Sequence, residues 1–109
     1  MNSAAPYIVE KFGQAVCDLA TGRGDARSRV GVAFYRFWTI PIQDFPDELR
    51  EDRERITTLL TRLGGDPGYI LPNNLSRMKN STAAEIAQLI LSIYLRLLKL
   101  NAPASAKAN

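Results

Sequence analysis

The chain has 109 residues, a formal net charge of +3 and a single cysteine, Cys17, and it contains no histidine. This length suits one small domain with its own core, and an apolar content of 46% is too high for a disordered chain. The missing histidine excludes Ser-His and Cys-His nucleophile pairs and His-containing zinc sites, and one cysteine cannot form a thiolate metal site. We therefore expect no enzymatic activity, no metal site and no cofactor.

Two features of the sequence predict a cytoplasmic location. One cysteine can form no internal disulfide, which favours a reducing compartment. The first six residues contain neither a basic region nor an apolar run, so no signal peptide is predicted. A membrane-spanning segment is also not expected, because only ten uncharged residues separate Glu85 from Arg96 where about 20 are needed.

Helical periodicity is the dominant signal along the chain. Residues 7–20 predict a first helix that ends near Thr21 and Gly22, with the glycine in the left-handed conformation. A second helix follows Asp25, whose carboxylate we expect to accept amide hydrogens as a cap. The apolar faces of these two helices consist of Ile8, Phe12, Ala15, Val16, Leu19, Val30, Phe34, Phe37 and Trp38.

The corner between these helices contains Arg23-Gly24-Asp25, a tripeptide known as a cell-adhesion ligand. Three-residue strings arise often by chance, and here the glycines and the aspartate all have structural work at a helix corner. We interpret the segment as a corner and not as a recognition motif.

A third helix is predicted over residues 46–63, with Asp44 as its cap and Pro46 in its first turn. Its charged run, residues 47–55, is interpreted as a solvated face with i, i+4 ion pairs and not as a carboxylate metal site. The expected pairs are Glu51 with Arg55 and Arg50 with Glu54, and the expected inward side chains are Leu49, Ile56, Leu59, Leu60 and Leu63.

Residues 75–100 predict either one long helix or two helices joined at Asn80 and Ser81. Asn73 or Asn74 is the expected cap of its start, and Thr82 with Glu85 forms a predicted capping box. After residue 82, apolar side chains cover most of the circumference, so this helix is either central to a bundle or half of an interface. The predicted fold is an all-α, compact bundle of four main helices over residues 1–100, followed by a disordered tail over residues 101–109.

The function predicted from these features is a non-enzymatic interaction or regulatory module, with a protein partner and self-association as a homodimer through the C-terminal helix. The predicted interface consists of Ile90, Leu91, Tyr94, Leu95 and Leu98.

A small nucleic-acid-binding protein is the alternative. Basic side chains flank the first and last helix corners, where amide hydrogens also favour phosphate. They are Arg23, Arg27, Arg29, Arg36, Arg77 and Lys79. The modest net charge and the lack of a known DNA-binding motif make this the weaker hypothesis.

Overall fold

Five α-helices and one short 3-10 helix make up the residues that this computed structural model describes, which are 5–64, 66 and 68–101. They are α1 (Pro6–Thr21), α2 (Ala26–Tyr35), the 3-10 helix (Ile42–Asp44), α3 (Asp47–Thr61), α4 (Ile70–Arg77) and α5 (Asn80–Leu100). No strand occurs in these residues, so the predicted all-α bundle is confirmed as a class, with five α-helices in place of four.

One stripe of α5 lies in the core. α5 packs against α1, α2 and α3. The side chains of Ile86, Ile90, Ile93 and Leu97 are completely enclosed, and their spacing of four, three and four residues keeps them on one face. Ala83 is also buried, and Ala87, Leu89, Tyr94 and Leu100 are partly buried against the core, whereas Leu91, Leu95 and Leu98 are exposed.

Three phenylalanines join distant parts of the chain inside the core. The ring of Phe12 on α1 stacks on Phe37 with centroids 4.2 Å apart, and Phe45 meets Phe12 edge to face at 5.7 Å. Such pairs contribute about 0.5–1.5 kcal/mol each beyond burial of their area. Phe37 lies in the turn after α2, and the next side chain, Trp38, points outward. Trp38, which the sequence placed on the apolar face of the second helix, lies beyond α2, because α2 ends at Tyr35, and it is exposed.

In the first corner, the end of α1 and the cap of α2 lie where the sequence predicts them, but the glycine in the left-handed conformation is Gly24 and not Gly22. α1 ends at Thr21, and Gly22 has an ordinary φ of −66°. Gly24 has a φ of +87°, which only glycine adopts readily. The Oδ1 atom of Asp25 accepts a hydrogen bond from the Ser28 amide at 3.0 Å, so the predicted cap is confirmed.

The prediction that Asp44 caps α3 is wrong, because Asp44 is the last residue of the 3-10 helix and α3 begins only at Asp47. The carboxylate of Asp44 accepts a hydrogen bond from the Tyr7 hydroxyl at 3.0 Å, and this bond raises the pKa of Tyr7. Pro46 occupies the N-cap position of α3 without a side-chain cap. At the other end α3 stops at Thr61, so Leu63 lies beyond the helix and is exposed instead of inward.

The C-terminal segment is two helices, and they separate at Met78 and Lys79 instead of at Asn80 and Ser81. Met78 adopts extended backbone, with ψ at 138°, and its side chain is buried under the bundle. The predicted capping box is wrong, since α5 begins at Asn80 without a side-chain cap and Glu85 accepts hydrogen bonds from Arg55.

The asparagine caps are also wrong. Asn74 lies inside α4, which begins at Ile70, and both Asn73 and Asn74 bond to the loop before it. They hold the end of α3 against α4.

No helix within residues 5–64, 66 and 68–101 has the length and apolar character needed to cross a membrane. The predicted disordered tail falls almost entirely on residues 102–109, which lie outside the described part of the chain. Before α4, Gly68 has a positive φ of +90°, which glycine adopts readily.

Candidate functional site

The predicted interface residues of α5 divide between core and surface. Ile90, one of the predicted interface residues, is fully buried in the core of the chain and offers no exposed surface to a partner. Tyr94 is half-buried, and its ring lies over Gly13 of α1, where an added Cβ would be 3.3 Å from the ring. Leu91, Leu95 and Leu98 remain exposed at 43%, 55% and 42%.

These three leucines continue an uncharged stripe along α5. Ala84 and Gln88 precede them on the same face and are also exposed. The spacing from residue 84 to residue 98 is four, three, four and three, which is the heptad spacing of helices that pair side by side. A groove of about 280 Å³ runs beside the stripe, lined by Val16, Leu19, Ala20, Ala87, Gln88 and Leu91.

The structure brings the two basic corners together, which the sequence did not indicate. Arg27, at the start of α2, donates from Nη1 to the carbonyl oxygen of Ser76 on α4 at 3.3 Å. The same guanidinium also pairs with the cap residue Asp25 at 3.0 Å. The hydrogen bond from the Ser28 amide and the contact with Arg27 both lower the pKa of Asp25, so the carboxylate stays ionised beside the arginine.

Arg36 is likewise neutralised. Its Nε and Nη2 atoms donate to both carboxylate oxygens of Asp18 on α1, at 2.7 and 3.1 Å. The bidentate pair raises the pKa of Arg36, so the guanidinium stays charged. Because the Asp18 carboxylate compensates this charge, Arg36 attracts a phosphate only weakly.

The other four predicted contacts have different environments. Arg23, Arg77 and Lys79 are exposed, whereas Arg29 is half-buried with its aliphatic stem close to Gly22. The six residues therefore do not form one uniform basic surface.

The acidic run of α3 is paired across helices and not within the predicted i, i+4 pairs. Arg55 contacts Glu85 at 3.1 Å, Asp52 contacts Arg96 at 2.6 Å, and Arg50 contacts Asp47 at 2.6 Å. Two of these three ion pairs join α3 to α5. In the described part of the chain, no three His, Cys, Asp or Glu side chains are grouped as metal ligands would be.

Arg53 is the residue whose role the sequence interpretation missed. It was included in the solvated face of α3, but only 5% of it is exposed. Its guanidinium carbon lies 5.5, 5.0 and 5.7 Å from the ring centroids of Phe34, Phe37 and Phe45. A signal was present in the sequence, since Arg53 occupies the i+4 position of the apolar stripe that begins at Leu49 and continues at Ile56 and Leu60.

The Arg53 guanidinium has few polar partners. Nη1 donates to Thr57 Oγ1 at 2.6 Å, and the enclosed Nε has no hydrogen-bond acceptor. No carboxylate of the described residues forms an ion pair with it. Burial lowers the pKa of Arg53 to about 10, which still leaves the side chain positively charged at neutral pH.

Comparison of the chain with models of known protein families, with curated proteins and with solved structures gives no match, so any assignment of function depends on the surfaces described above.

Proposed function

We propose that the protein is a non-enzymatic interaction module that self-associates through the exposed stripe of α5. The observation that carries this proposal is the exposure of Leu91, Leu95 and Leu98, about half of each side chain, on one face of one helix. Burying apolar surface of this kind releases roughly 25 cal/mol for each Å² removed from water. A neighbouring helix that covers all three leucines would recover this free energy.

A second copy of the chain, with the same uncharged stripe, fits this face better than a partner with a charged surface. From Ala84 to Leu98 the stripe contains no charged side chain, so two copies can approach without repulsion. Its only polar member is Gln88, whose amide can both donate and accept. Two such amides can hydrogen-bond each other across a two-fold axis, and a single polar residue in a heptad seam specifies the register of pairing.

The non-enzymatic part of the proposal is supported by the lack of histidine in the whole sequence. We also propose a cytoplasmic location, because the one cysteine is a free and exposed thiol.

Sedimentation equilibrium at micromolar concentration tests the proposal. The expected mass is about twice the chain mass of 12.1 kDa. The variant Leu95→Glu should give a folded monomer, since Leu95 is more than half exposed and makes a small contribution to the core. The matched control is Val32→Glu, at an apolar residue of α2 that is 52% exposed, and it should remain dimeric.

A wild-type protein that sediments at 12.1 kDa over the whole concentration range would overturn self-association. Equal dissociation by Leu95→Glu and Val32→Glu would show that the dimer uses another surface.

The nucleic-acid alternative has less support than self-association. Arg27 and Arg36, two of its six proposed contacts, already pair with Asp25 and Asp18. A phosphate would have to compete with those carboxylates, and each such exchange reduces the net gain from counterion release.

A further inference from the structure

A cavity of about 380 Å³ opens between the end of α2, the middle of α3 and the start of α4. This volume lies within the range of about 300–1,000 Å³ that is common for small-molecule sites. Its walls are mainly apolar and aromatic, and its lining includes Phe34, Tyr35, Trp38, Arg53, Leu71 and Pro72.

Among the described residues that line the cavity, Arg53 is the only one with a charged side chain. Its charge is buried against three phenylalanine rings, but no carboxylate of the described residues neutralises it. Ring faces attract a cation, yet they do not accept the in-plane hydrogen bonds that a guanidinium offers. Among the described residues, Nη1 donates to Thr57 and the enclosed Nε has no acceptor. A buried cation with unused donors is an arrangement that an anion would complete.

The mouth of the cavity has exposed aromatic side chains. Tyr35 and Trp38 are 58% and 54% exposed, and their rings meet edge to face with centroids 6.4 Å apart. Aromatic side chains in this position offer a large rigid surface to a ligand at a small loss of conformational entropy. The cavity thus has an apolar mouth with a single positive charge beneath it.

We propose that this cavity binds a small molecule with one carboxylate on an aromatic or aliphatic body, with the carboxylate on Arg53 and the body against Trp38, Tyr35 and Leu71. A monoanion balances the single cation. A phosphate dianion would leave one negative charge uncompensated in an apolar site, which is costly. The cavity has no contact with the exposed stripe of α5, so this proposal is independent of self-association.

Titration with three monocarboxylates, octanoate, 4-phenylbutyrate and 2-naphthoate, tests the site. Trp38 is the only tryptophan of the protein, so its fluorescence reports directly on the mouth of the cavity. Isothermal titration calorimetry gives the affinity independently. The matched ligand control is 4-phenylbutanol, which has the same body as 4-phenylbutyrate without the charge.

We expect at least one of the acids to bind with a Kd below about 1 mM, and 4-phenylbutanol to bind at least about tenfold more weakly than 4-phenylbutyrate.

Arg53→Met removes the charge, keeps an unbranched side chain and should lower the affinity for the acids at least about tenfold. Arg23→Met, a change of the same kind at an exposed residue of the first corner, should leave the affinity unchanged. Tyr35→Ala should weaken binding of the acid and the alcohol alike, because it removes contact with the body only. Its side chain is largely exposed, so this variant tests the site even if Arg53→Met fails to fold.

The proposal is overturned if none of the three acids binds at about 10 mM. It is overturned equally if acid and alcohol bind with the same affinity, or if Arg53→Met binds the acids as the wild type does. An affinity confined to peptides with a free C-terminal carboxylate would also overturn it, in favour of a chain terminus as the occupant.

Discussion

The side chain of Asn74 hydrogen-bonds both backbone polar groups of Leu63. Its Oδ1 accepts from the Leu63 amide at 3.0 Å, and its Nδ2 donates to the Leu63 carbonyl at 2.9 Å and to the Ile70 carbonyl at 2.8 Å. Only 2% of Asn74 is exposed, so water cannot replace these bonds. One buried amide thus connects the end of α3 to α4.

Asn74→Ala should lower the free energy of unfolding by about 2 kcal/mol, because it leaves buried backbone groups without partners. Asn74→Asp should be more harmful at pH 7, since it turns a charged oxygen toward two carbonyls. That carboxyl would have a raised pKa in the native state, so the stability of Asn74→Asp should rise as the pH falls. Urea unfolding between pH 7 and pH 4 measures both effects, and Asn73→Ala, which removes one exposed bond, is the milder control. Equal losses for Asn73→Ala and Asn74→Ala would contradict this role.

Asp25→Ala should lower the melting temperature by about 4 °C through loss of the cap, whereas Asp25→Asn and Asp25→Ser should be nearly neutral. The pKa of Asp25 is lowered in the folded protein, first by the hydrogen bond from the Ser28 amide. The stabilisation is therefore present above the ordinary value of 3.8 and is lost as the pH falls below it. Thermal scans at pH 7 and pH 3 should show the difference between wild type and Asp25→Ala shrinking in acid. A difference that is constant with pH would mean that the carboxylate is not the capping group.

Gly22→Ala should be destabilising by about 1–3 kcal/mol, although Gly22 has an ordinary φ. A Cβ at this position would clash with the backbone oxygen of Asp18 and would lie 3.0 Å from Cγ of Arg29. Backbone at the end of α1 cannot move aside as a flexible side chain could. Gly64→Ala is the control, because nothing lies within 4 Å of a Cβ there. Chemical denaturation of both variants should separate them; similar midpoints would show that the end of α1 relaxes freely.

Arg53→Met should leave the free energy of unfolding unchanged or raise it by up to about 2 kcal/mol, since replacing a buried, unneutralised charge with a similar apolar side chain is often favourable. Arg53→Ala should instead lower it, because the truncated side chain leaves a void among Phe34, Phe37 and Phe45. Guanidinium unfolding of the two variants gives the comparison. A strongly destabilised Arg53→Met would indicate that contacts with the aromatic rings outweigh the cost of burying the charge.

Nucleic acid should be retained weakly if at all in a filter-binding titration, with a log-log salt slope no steeper than about −3 on duplex DNA. This expectation follows from the ion pairs of Arg27 and Arg36, which leave Arg23, Arg77 and Lys79 as the exposed cations of the proposed surface. A steep slope that is flattened by Arg23→Glu with Lys79→Glu, but not by the control Arg62→Glu, would instead favour nucleic-acid binding.

Several features of the protein were determined by the sequence alone. The all-α class, the end of α1 at Thr21 and the cap at Asp25 follow from patterns confined to a few turns of the chain. Periodicity also places Ile8, Phe12 and Leu49 correctly in the core, because the side on which a residue lies is set by the 3.6-residue repeat. These interactions need no information about distant segments.

The tertiary structure decided what periodicity leaves open. α5 has apolar side chains around most of its circumference, and the placement of α1, α2 and α3 determined that Ile90 is buried while Leu95 is exposed. The ion pairs of α3 were decided in the same way, since Arg55 pairs with Glu85 on α5 and not with Glu51 on its own helix.

Arg53 and Asn74 show the physical reason most clearly. A polar side chain within an apolar stripe can be buried only where other segments supply rings or backbone groups to receive it. Phe34 and Phe37 supply the rings around Arg53, and Leu63 supplies the backbone groups that bond to Asn74. The positions of these groups depend on how the helices pack. Local sequence decides which residues face inward, and the packing of distant segments decides what they meet there.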